Sequence, residues 1–397
     1  MTDSLFNTLA PSPPDALLAL IAAFRADPRL DKIDVGIGVY RNSQGQTPVF
    51  SAVKAAEQQL AETQTTKAYL GAEGDAVFTE LLAPIVFGME HASSDRLTGV
   101  QTPGGTGALR LGAELIARAT PDARVWIGTP TWPNHAPIFS AAGLLPTSHA
   151  YWDASRGRKD FGRMMAALEE VAAGDILLLH GCCHNPTGSG FSLPEWQEIA
   201  KICNSRKITP FIDLAYQGLG DGLDEDAAGL RLLLSTVDEA LIAYSCDKNF
   251  GLYRERVGAL WIQAGSSKAV STGRSAMLAL ARALWSMPPD HGAAIVRTIL
   301  ENGQLERDWQ RELAGMRARL GEVRAMLAAI GPVFAPIGEQ RGLFALLPLA
   351  AGDVAELRET YAIYLAPDGR ANLAGLGPDT IARFAAAVLT RIAISKA

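Results

Sequence analysis

The stretch YSCDKNFGLYRERVG (residues 244–258) places two cations beside apolar runs. Lys248 follows the run ALIAYS, and Arg256 comes just before the run GALWI. A lysine at a strand end is usually a solvated charge. A desolvated lysine near other cations, in contrast, loses its proton more readily and can form a Schiff base with an aldehyde. An arginine can clamp a phosphate with two hydrogen bonds. The stretch alone leaves both interpretations open.

A glycine-rich segment offers a seat for such a phosphate. TPGGTGALR (102–110) lies between a predicted strand and a predicted helix. Glycines let an anion approach the backbone, and the helix N-terminus presents unpaired N–H groups. The glycines could equally serve a tight connection, and the segment matches neither a Rossmann nor a P-loop motif.

Two further strand ends carry groups suited to a flat, charged ring. Trp132 in PTWPNH (130–135) could stack on a ring, although a tryptophan between prolines often packs in a core. Asp213 in FIDLAYQG (211–218) follows a buried-type run, and Tyr216 comes three residues later. A buried carboxylate needs a cation or a strong hydrogen-bond donor near it. Alternatively, Asp213 could simply be the N-cap of a helix.

The segment LLHGCCHNPTG (178–188) resembles a zinc motif at first. His180 and His184 are spaced i, i+4, with Cys182 and Cys183 between them. We predict a strand running into a turn here, and no second ligand cluster follows. We therefore expect no metal site, and we interpret Asn185 as a side-chain donor that points into a functional site.

Alternating elements position these loops. Apolar runs at 125–128, 176–180, 210–215, 240–245 and 258–262 alternate with amphipathic stretches at 107–119, 161–173 and 193–204. The alternation predicts βαβ crossovers and a mostly parallel sheet with helices on both faces. Functional groups in such folds gather at the carboxyl ends of the strands.

The ends of the chain predict a second, smaller unit. We expect a helix at 15–26, a strand at 33–40, a long helix at 293–329 and a final helix at 378–395. The resulting α/β fold has a large cofactor-binding domain over 44–306. The smaller α+β domain combines residues 1–43 and 307–397.

Composition excludes several functional classes. The 397 residues are 48% hydrophobic and 20% charged, with a net charge of −6, which disfavours binding to nucleic acids or anionic membranes. Neither a signal peptide nor a run long enough to span a bilayer is visible. The four cysteines are few and scattered, so we expect reduced thiols in a cytoplasmic enzyme.

The combination is more specific than any single motif. A phosphate seat, a stacking aromatic ring, a carboxylate, a phenol, a lysine and an arginine all fall at one edge of one predicted sheet. These are the groups needed to hold pyridoxal phosphate (PLP).

The chain resembles the aspartate/aromatic aminotransferases, which are class I aminotransferases and fold type I PLP enzymes. The resemblance covers residues from about 5 to 395. It rests on segments in the family's order: KAYLG, TPGGTGALR, PTWPNH, HGCCHNPTG, DLAYQG, KNFGLYRERVG and GRANLAGL. It implies PLP as cofactor and amino-group transfer by a ping-pong mechanism.

The resemblance assigns roles around the cofactor ring. Lys248 looks like the Schiff-base lysine, which also moves the substrate's α-proton. Asp213 looks like the partner of the pyridinium nitrogen, and His135 like the residue that supports it. Tyr216 and Asn185 match groups that bond the ring's O3′. Trp132 matches the residue that stacks on the cofactor ring.

Other matches concern the phosphate and a second subunit. Gly105, Thr106, Ser245 and Arg256 match the phosphate cup. Tyr69 matches a tyrosine that reaches the neighbouring subunit's phosphate, which implies a homodimer with shared sites.

The substrate contacts implied by the resemblance involve two arginines. Arg370 and the backbone of Gly38 match groups that bind the α-carboxylate, while Trp132 and Asn185 also line the substrate site. Arg282, from the partner subunit, matches the residue that pairs with a side-chain carboxylate.

Two positions depart from the family pattern. Gly104 stands where many relatives have serine, and Asp247 stands beside the lysine where serine is usual. An acid next to Lys248 should favour the protonated amine, so we expect the Schiff base to titrate unusually.

Residues near Arg282 bear on the substrate. Leu284, Trp285 and Met287 stand where the aspartate-specific branch has polar residues, and they offer apolar surface to an aromatic ring. We therefore expect transfer from tyrosine, phenylalanine or tryptophan, and also from aspartate, to 2-oxoglutarate.

Two alternatives remain, and two other classes fit poorly. If these residues only pack an interface, the enzyme is an aspartate aminotransferase with little aromatic activity. A PLP lyase or decarboxylase of the same fold is a further alternative. A transcription regulator would need a DNA-binding module, for which the sequence leaves no room, and a Rossmann dehydrogenase would need its nicotinamide fingerprint.

Overall fold

The computed structural model describes residues 5–10 and 16–395. Asp15, the first residue of the predicted N-terminal helix, lies outside this part. The α-helices are α1 (Ala16–Ala26), α2 (Ser51–Thr63), α3 (Ala76–Phe87), α4 (Met89–Ala92), α5 (Gly104–Ala119), α6 (His135–Ala141), α7 (Phe161–Leu168), α8 (Leu193–Arg206), α9 (Leu223–Leu234), α10 (Ser267–Leu284), α11 (Asp290–Glu301), α12 (Gly303–Ala328), α13 (Ala351–Tyr361) and α14 (Pro378–Ser395). Short 3-10 helices lie at Leu5–Thr8, Ala335–Glu339 and Leu373–Gly375.

The strands are β1 (Ile33–Asp34), β2 (Leu97–Pro103), β3 (Arg124–Thr129), β4 (Leu145–Ala150), β5 (Trp152–Asp153), β6 (Arg158–Lys159), β7 (Ile176–His180), β8 (Thr209–Leu214), β9 (Ala240–Ser245), β10 (Val257–Gln263), β11 (Phe344–Leu346), β12 (Ile363–Tyr364) and β13 (Arg370–Asn372). Seven of them form the main sheet in the order β2-β10-β9-β8-β7-β3-β4. Only β10 runs antiparallel to its neighbours. The predicted α/β fold with a mostly parallel sheet is confirmed.

The central strands are apolar on both faces because helices cover both. Leu177 and Leu179 of β7 join the core under α8 and α9, whereas Ile176 and Leu178 join the core under α5 and α10. Strands buried on both sides need continuous apolar runs, which is what ILLLH and ALIAYS provide.

A third hydrophobic cluster joins the two ends of the chain. Ile33 and Val35 pack with residues of α12, α13 and α14. The cluster involves the segments that we assigned to the smaller domain. The boundary near residue 306 stays a prediction.

Three predicted elements differ in extent. The strand predicted at 33–40 is wrong beyond Asp34, whose carboxylate accepts the Gly36 N–H at 3.0 Å and turns the chain away from β12. The single helix predicted at 293–329 is two helices, because the Asn302 side chain caps α12 by accepting from Gln304 and Leu305. The helix predicted at 161–173 ends at Leu168, after which the chain turns toward β7. No helix within the described ranges could cross a membrane.

Candidate active site

A pocket of about 280 Å³ lies where β7, β8 and β9 end, beside the start of α5. It gathers most of the residues that the sequence predicted for a functional site. These are Gly38, Gly105, Thr106, Trp132, Asn185, Asp213, Tyr216, Ser245, Lys248, Arg256 and Arg370. The sheet brings them together because its central parallel strands all end at this edge.

Lys248 lies three residues beyond the end of β9. Its Nζ is 5.3 Å from the centre of the Tyr216 ring. Desolvation lowers the pKa of Lys248 below that of an ordinary lysine, although the charges of Asp247 and Asp213 oppose the shift. The amine is therefore easier to deprotonate than a surface lysine, which is what a nucleophile or proton carrier requires.

Asp213 is the last polar residue of β8 and is 6% exposed. Its Oδ2 lies 3.1 Å from His135 Nε2, and His135 Nδ1 lies 2.7 Å from the Thr131 hydroxyl. Burial alone would raise the pKa of Asp213, but the hydrogen bond with His135 and the charges around it bring the pKa below the ordinary value. Asp213 is therefore kept as an ionised carboxylate, which is the state that an electrostatic partner of a cationic ring requires.

A chain of hydrogen bonds links three predicted site residues. Arg370 Nη1 donates to Asn185 Oδ1 at 3.2 Å, and Asn185 Nδ2 donates to the Tyr216 hydroxyl at 3.4 Å. Burial raises the pKa of Tyr216, so its phenol stays protonated. The guanidinium of Arg370 lies 4.7 Å from the ring centre of Phe344.

Arg370 has donor capacity that the described chain does not use. Its Nη2 donates to the Gly36 carbonyl at 3.3 Å, while its Nε is buried without a partner among residues 5–10 and 16–395. A buried donor of this kind is costly unless a ligand meets it. A carboxylate is the ligand that suits a guanidinium best.

A second part of the pocket, formed by the start of α5, Ser245 and Arg256, has groups that can bind an anion. Gly105 and Thr106 occupy the first turn of α5 and line the pocket, and the first N–H groups of a helix have no partner within the helix. Ser245 ends β9 and contributes a hydroxyl. Arg256 Nη1 lies 2.5 Å from Asp247 Oδ2, so the predicted clamp is already paired with an acid.

The pocket also has walls formed by residues that we did not predict as site residues, although Asp247 and His180 lie in motifs that we singled out. These residues are Leu17, Ile37, Val39, Leu109, His180, Ala215, Asp247, Tyr253 and Phe344. Tyr253 lies within the 244–258 stretch and its hydroxyl accepts the Tyr40 N–H at 2.8 Å, so its position near Lys248 was a usable signal. No local pattern marks Leu17 or Phe344, because they are distant in sequence from every motif.

Two predicted residues lie away from this pocket. Tyr69 is 93% exposed, and Arg282 is exposed at the end of α10, where it bonds the Ser286 hydroxyl. Leu284 is exposed as well, whereas Trp285 packs on the core of its own chain. Their predicted roles belong to a neighbouring subunit, so they stay predictions.

The two histidines of the zinc-like motif do not share a helix. His180 ends β7 and His184 lies in the following turn, which confirms the predicted strand. Two sets in the described part of the chain have metal-ligand distances: His135, His180 and Asp213, and Cys182, Cys183 and Asp226. Burial lowers the pKa of His180 to about 3, so it stays neutral.

The pocket combines three kinds of group. They are the anion-binding end of α5 with Arg256, the amine of Lys248 with the ionised Asp213, and the guanidinium of Arg370 for a second anion. The pocket suits a phosphorylated aldehyde with a ring nitrogen, together with a carboxylate-bearing amine. The unused Arg370 Nε and the buried Asp213 carboxylate are the observations that support this fit.

Known proteins are similar to this chain in sequence and in architecture. Residues 30–388 match the family described as "Aminotransferase class I and II". The tyrosine aminotransferase of Rhizobium meliloti (strain 1021) is 49% identical over 94% of this chain and 96% of its own length. The aspartate aminotransferase of Escherichia coli (strain K12) is 42% identical over 97% of this chain and 99% of its own length.

A solved structure extends the likeness to three dimensions. The aromatic-amino-acid aminotransferase from Burkholderia pseudomallei, covalently bound to pyridoxal phosphate, superposes with a TM-score of 0.94. It is 35% identical, and the match covers 98% of this chain and 99% of that one.

Proposed function

The chain belongs to the family of class I and II aminotransferases, and on that premise we propose a PLP-dependent enzyme that transfers the amino group of an aromatic amino acid, or of aspartate, to 2-oxoglutarate. The observation that carries the proposal is the single pocket that combines Lys248, Asp213 and Arg370 with an anion seat. Because donor and acceptor substrates use this pocket in turn, the mechanism is ping-pong.

PLP supplies an aldehyde that captures the amino group and a pyridinium ring that withdraws electrons from the α-carbon. Gly105, Thr106, Ser245 and Arg256 would hold its phosphate. Tyr69 of a second subunit would complete that cup.

The ring of the cofactor needs its own contacts. Tyr216 and Asn185 would donate to its phenolic oxygen, and Trp132 would cover one face. Asp213 would hold the proton on the ring nitrogen, since its carboxylate is kept ionised in a buried position. His135 and Thr131 orient that carboxylate from behind.

Lys248 moves the proton. Desolvation lowers the pKa of its amine, so the neutral form that can take a proton from the substrate's α-carbon is easier to reach than in an ordinary lysine. The same amine returns the proton when the reaction runs with a keto acid. Its placement at a strand end, at the edge of the pocket, lets one side chain serve both directions.

Arg370 binds the substrate's α-carboxylate. Its Nε has no partner in the described chain, and Nη1 is oriented by Asn185. A bidentate pair would fix the α-carbon toward Lys248. The backbone of Gly38 would contact the same carboxylate from the opposite wall.

The side-chain pocket would be completed by a partner subunit. We infer a cytoplasmic homodimer in which Arg282 reaches the neighbouring site and pairs with the carboxylate of aspartate or 2-oxoglutarate. Exposed Leu284 and half-buried Met287 are apolar neighbours of Arg282 and would contact an aromatic ring. This surface supports aromatic substrates beside aspartate.

The test compares kcat/KM for phenylalanine and for aspartate, each with 2-oxoglutarate. Wild-type enzyme should use both. Changing Leu284→Asn together with Met287→Asn should lower kcat/KM for phenylalanine relative to aspartate by roughly ten-fold, since apolar contact is lost. Met326→Asn, an exposed methionine on α12, is the matched control and should leave the ratio unchanged. High aspartate activity with negligible phenylalanine activity in the wild type would favour an aspartate aminotransferase instead.

A further inference from the structure

The anion seat of the pocket contains an acid of its own. Asp247 lines the pocket and is 4% exposed. Its Oδ2 lies 2.5 Å from Arg256 Nη1, and its backbone N–H donates to the Ser245 hydroxyl at 3.2 Å. Its Oδ1 is buried and accepts no hydrogen bond from any described residue.

Gly104 makes room for this pair. The residue has a φ of +70°, and a Cβ there would lie 2.6 Å from Arg256 Nη2 and 3.5 Å from Asp247 Oδ2. A side chain at position 104 would therefore displace the guanidinium from its contact with the acid. The glycine and the aspartate form one arrangement, in which the arginine is held by a carboxylate rather than by a neutral hydroxyl.

The pair changes the charge that a phosphate meets. Asp247 neutralises the positive charge of Arg256, the nearest guanidinium at this end. Apart from Lys248, the other groups of this chain at this end are neutral: the Thr106 and Ser245 hydroxyls and the N–H groups at the start of α5. The Tyr69 hydroxyl of a second subunit would join them in the proposed dimer. A phosphate dianion would lie beside a buried carboxylate, and a like charge at such distance raises the pKa of the phosphate.

The unpartnered Asp247 Oδ1 calls for a hydrogen-bond donor from the ligand. An ionised carboxylate only accepts hydrogen bonds, so Asp247 Oδ1 needs a donor. Protonated phosphate is the ligand group at this end that can donate. A phosphate dianion is also a stronger base than a carboxylate, with a pKa of about 6 against about 4, so the shared proton belongs on the phosphate.

We propose that this chain binds the cofactor's phosphate as a monoanion, whose P–O–H donates to Asp247 Oδ1. The proposal rests on PLP being the cofactor. One proton is taken from solvent by a phosphate oxygen when the cofactor binds above the phosphate's ordinary pKa, and the phosphate group itself makes or breaks no other covalent bond.

The other groups facing Asp247 do not provide that proton. Arg256 is the cation already paired with Oδ2. Burial raises the pKa of both Tyr253 and Cys246, so neither adds a charge, and neither hydrogen-bonds Oδ1. With PLP bound, the Lys248 amine would be held by the cofactor's aldehyde in the proposed function.

The test is phosphorus-31 NMR of the holoenzyme from about pH 6 to about pH 9, with free PLP as reference for the monoanion and the dianion. The wild-type resonance should stay at the monoanion position well above the pH at which free PLP has become a dianion. In Asp247→Asn and Asp247→Ser the resonance should move to the dianion position at neutral pH. Asp238→Asn, which removes an exposed acid paired with Arg96, should behave as wild type.

A binding measurement provides a second readout. Pyridoxamine 5′-phosphate, which forms no bond to Lys248, should bind wild-type apoenzyme about ten-fold more weakly for each pH unit above the free phosphate's pKa of about 6, until the pKa of the bound phosphate is reached. The two Asp247 variants should bind it with little change over the same range. If they fail to fold, the wild-type resonance alone decides.

A dianion resonance throughout in wild-type holoenzyme would overturn the monoanion and leave the cofactor assignment intact. Absence of any bound phosphorus signal would instead contradict the proposed function itself.

Discussion

At the scale of single residues, the pocket favours the neutral form of Lys248, and the ionised form of Asp213, more than water does. Desolvation lowers the pKa of Lys248, whereas the hydrogen bond from His135 keeps Asp213 ionised despite burial. In the proposed function, these two shifts distinguish Lys248 as the proton carrier from Asp213 as a fixed negative charge. Pairs of titratable groups with separated roles are typical of catalytic sites.

The role of Asp213 can be isolated by a nearly isosteric change. Asp213→Asn should retain PLP at one per chain but lower kcat by roughly 100-fold or more, because the ring nitrogen loses the charge that holds its proton. Asp213→Glu, which keeps the charge, should recover part of the loss. The measurement is kcat together with cofactor stoichiometry. An Asn variant with near wild-type kcat would remove Asp213 from the mechanism.

At the scale of elements, the site depends on where strands stop and helices start. β8 ends at Asp213–Leu214, β9 ends at Ser245, and α5 starts at Gly104. The ends of β8 and β9 were predictable because apolar runs precede them, whereas α5 was predicted to begin only at residue 107, after its first two glycines. The break at Asn302 was not predictable, because the apolar periodicity of α11 and α12 continues past it and only a cap separates the two helices.

Two glycines in helices separate backbone strain from helix propensity. Gly104→Ala should destabilise the protein by about 1–2 kcal/mol or more, since φ is +70° there and a Cβ would contact Arg256. Gly315→Ala, at an open position within α12, should instead stabilise it by about 0.5–1 kcal/mol. Urea unfolding of both apoproteins measures the difference. Equal effects of the two changes would show that position 104 carries no strain.

At the scale of the whole molecule, one chain contains an incomplete site by our proposal. The described chain collects Lys248, Asp213 and Arg370 in one pocket but leaves Tyr69 and Arg282 exposed outside it. Local motifs at strand ends predicted Lys248 and Asp213, whereas Arg370 was predicted only through the family resemblance. Contacts from remote segments, such as Leu17 and Phe344, could not be predicted, since no sequence signal connects them to the motifs.

Hybrid dimers test the shared site. One chain carries Lys248→Ala and the other carries Arg282→Ala, so each homodimer should have little aspartate activity. Refolding or coexpressing both should produce hybrids with one intact site, because the intact Lys248 and the intact Arg282 then meet across the interface. We expect hybrids to recover about half of the wild-type aspartate activity by this geometry. If Arg282 acted within its own chain, mixing would restore nothing.

The central claim is that this chain transfers amino groups from both aromatic and acidic amino acids through PLP held at Lys248. The most direct measurement is the near-ultraviolet and visible spectrum of purified holoenzyme, before and after phenylalanine and, in a separate sample, aspartate. We predict an absorption band of the Lys248-bound cofactor that bleaches with either amino acid. Absence of that band after PLP is added, or a band that neither amino acid bleaches, would contradict the account.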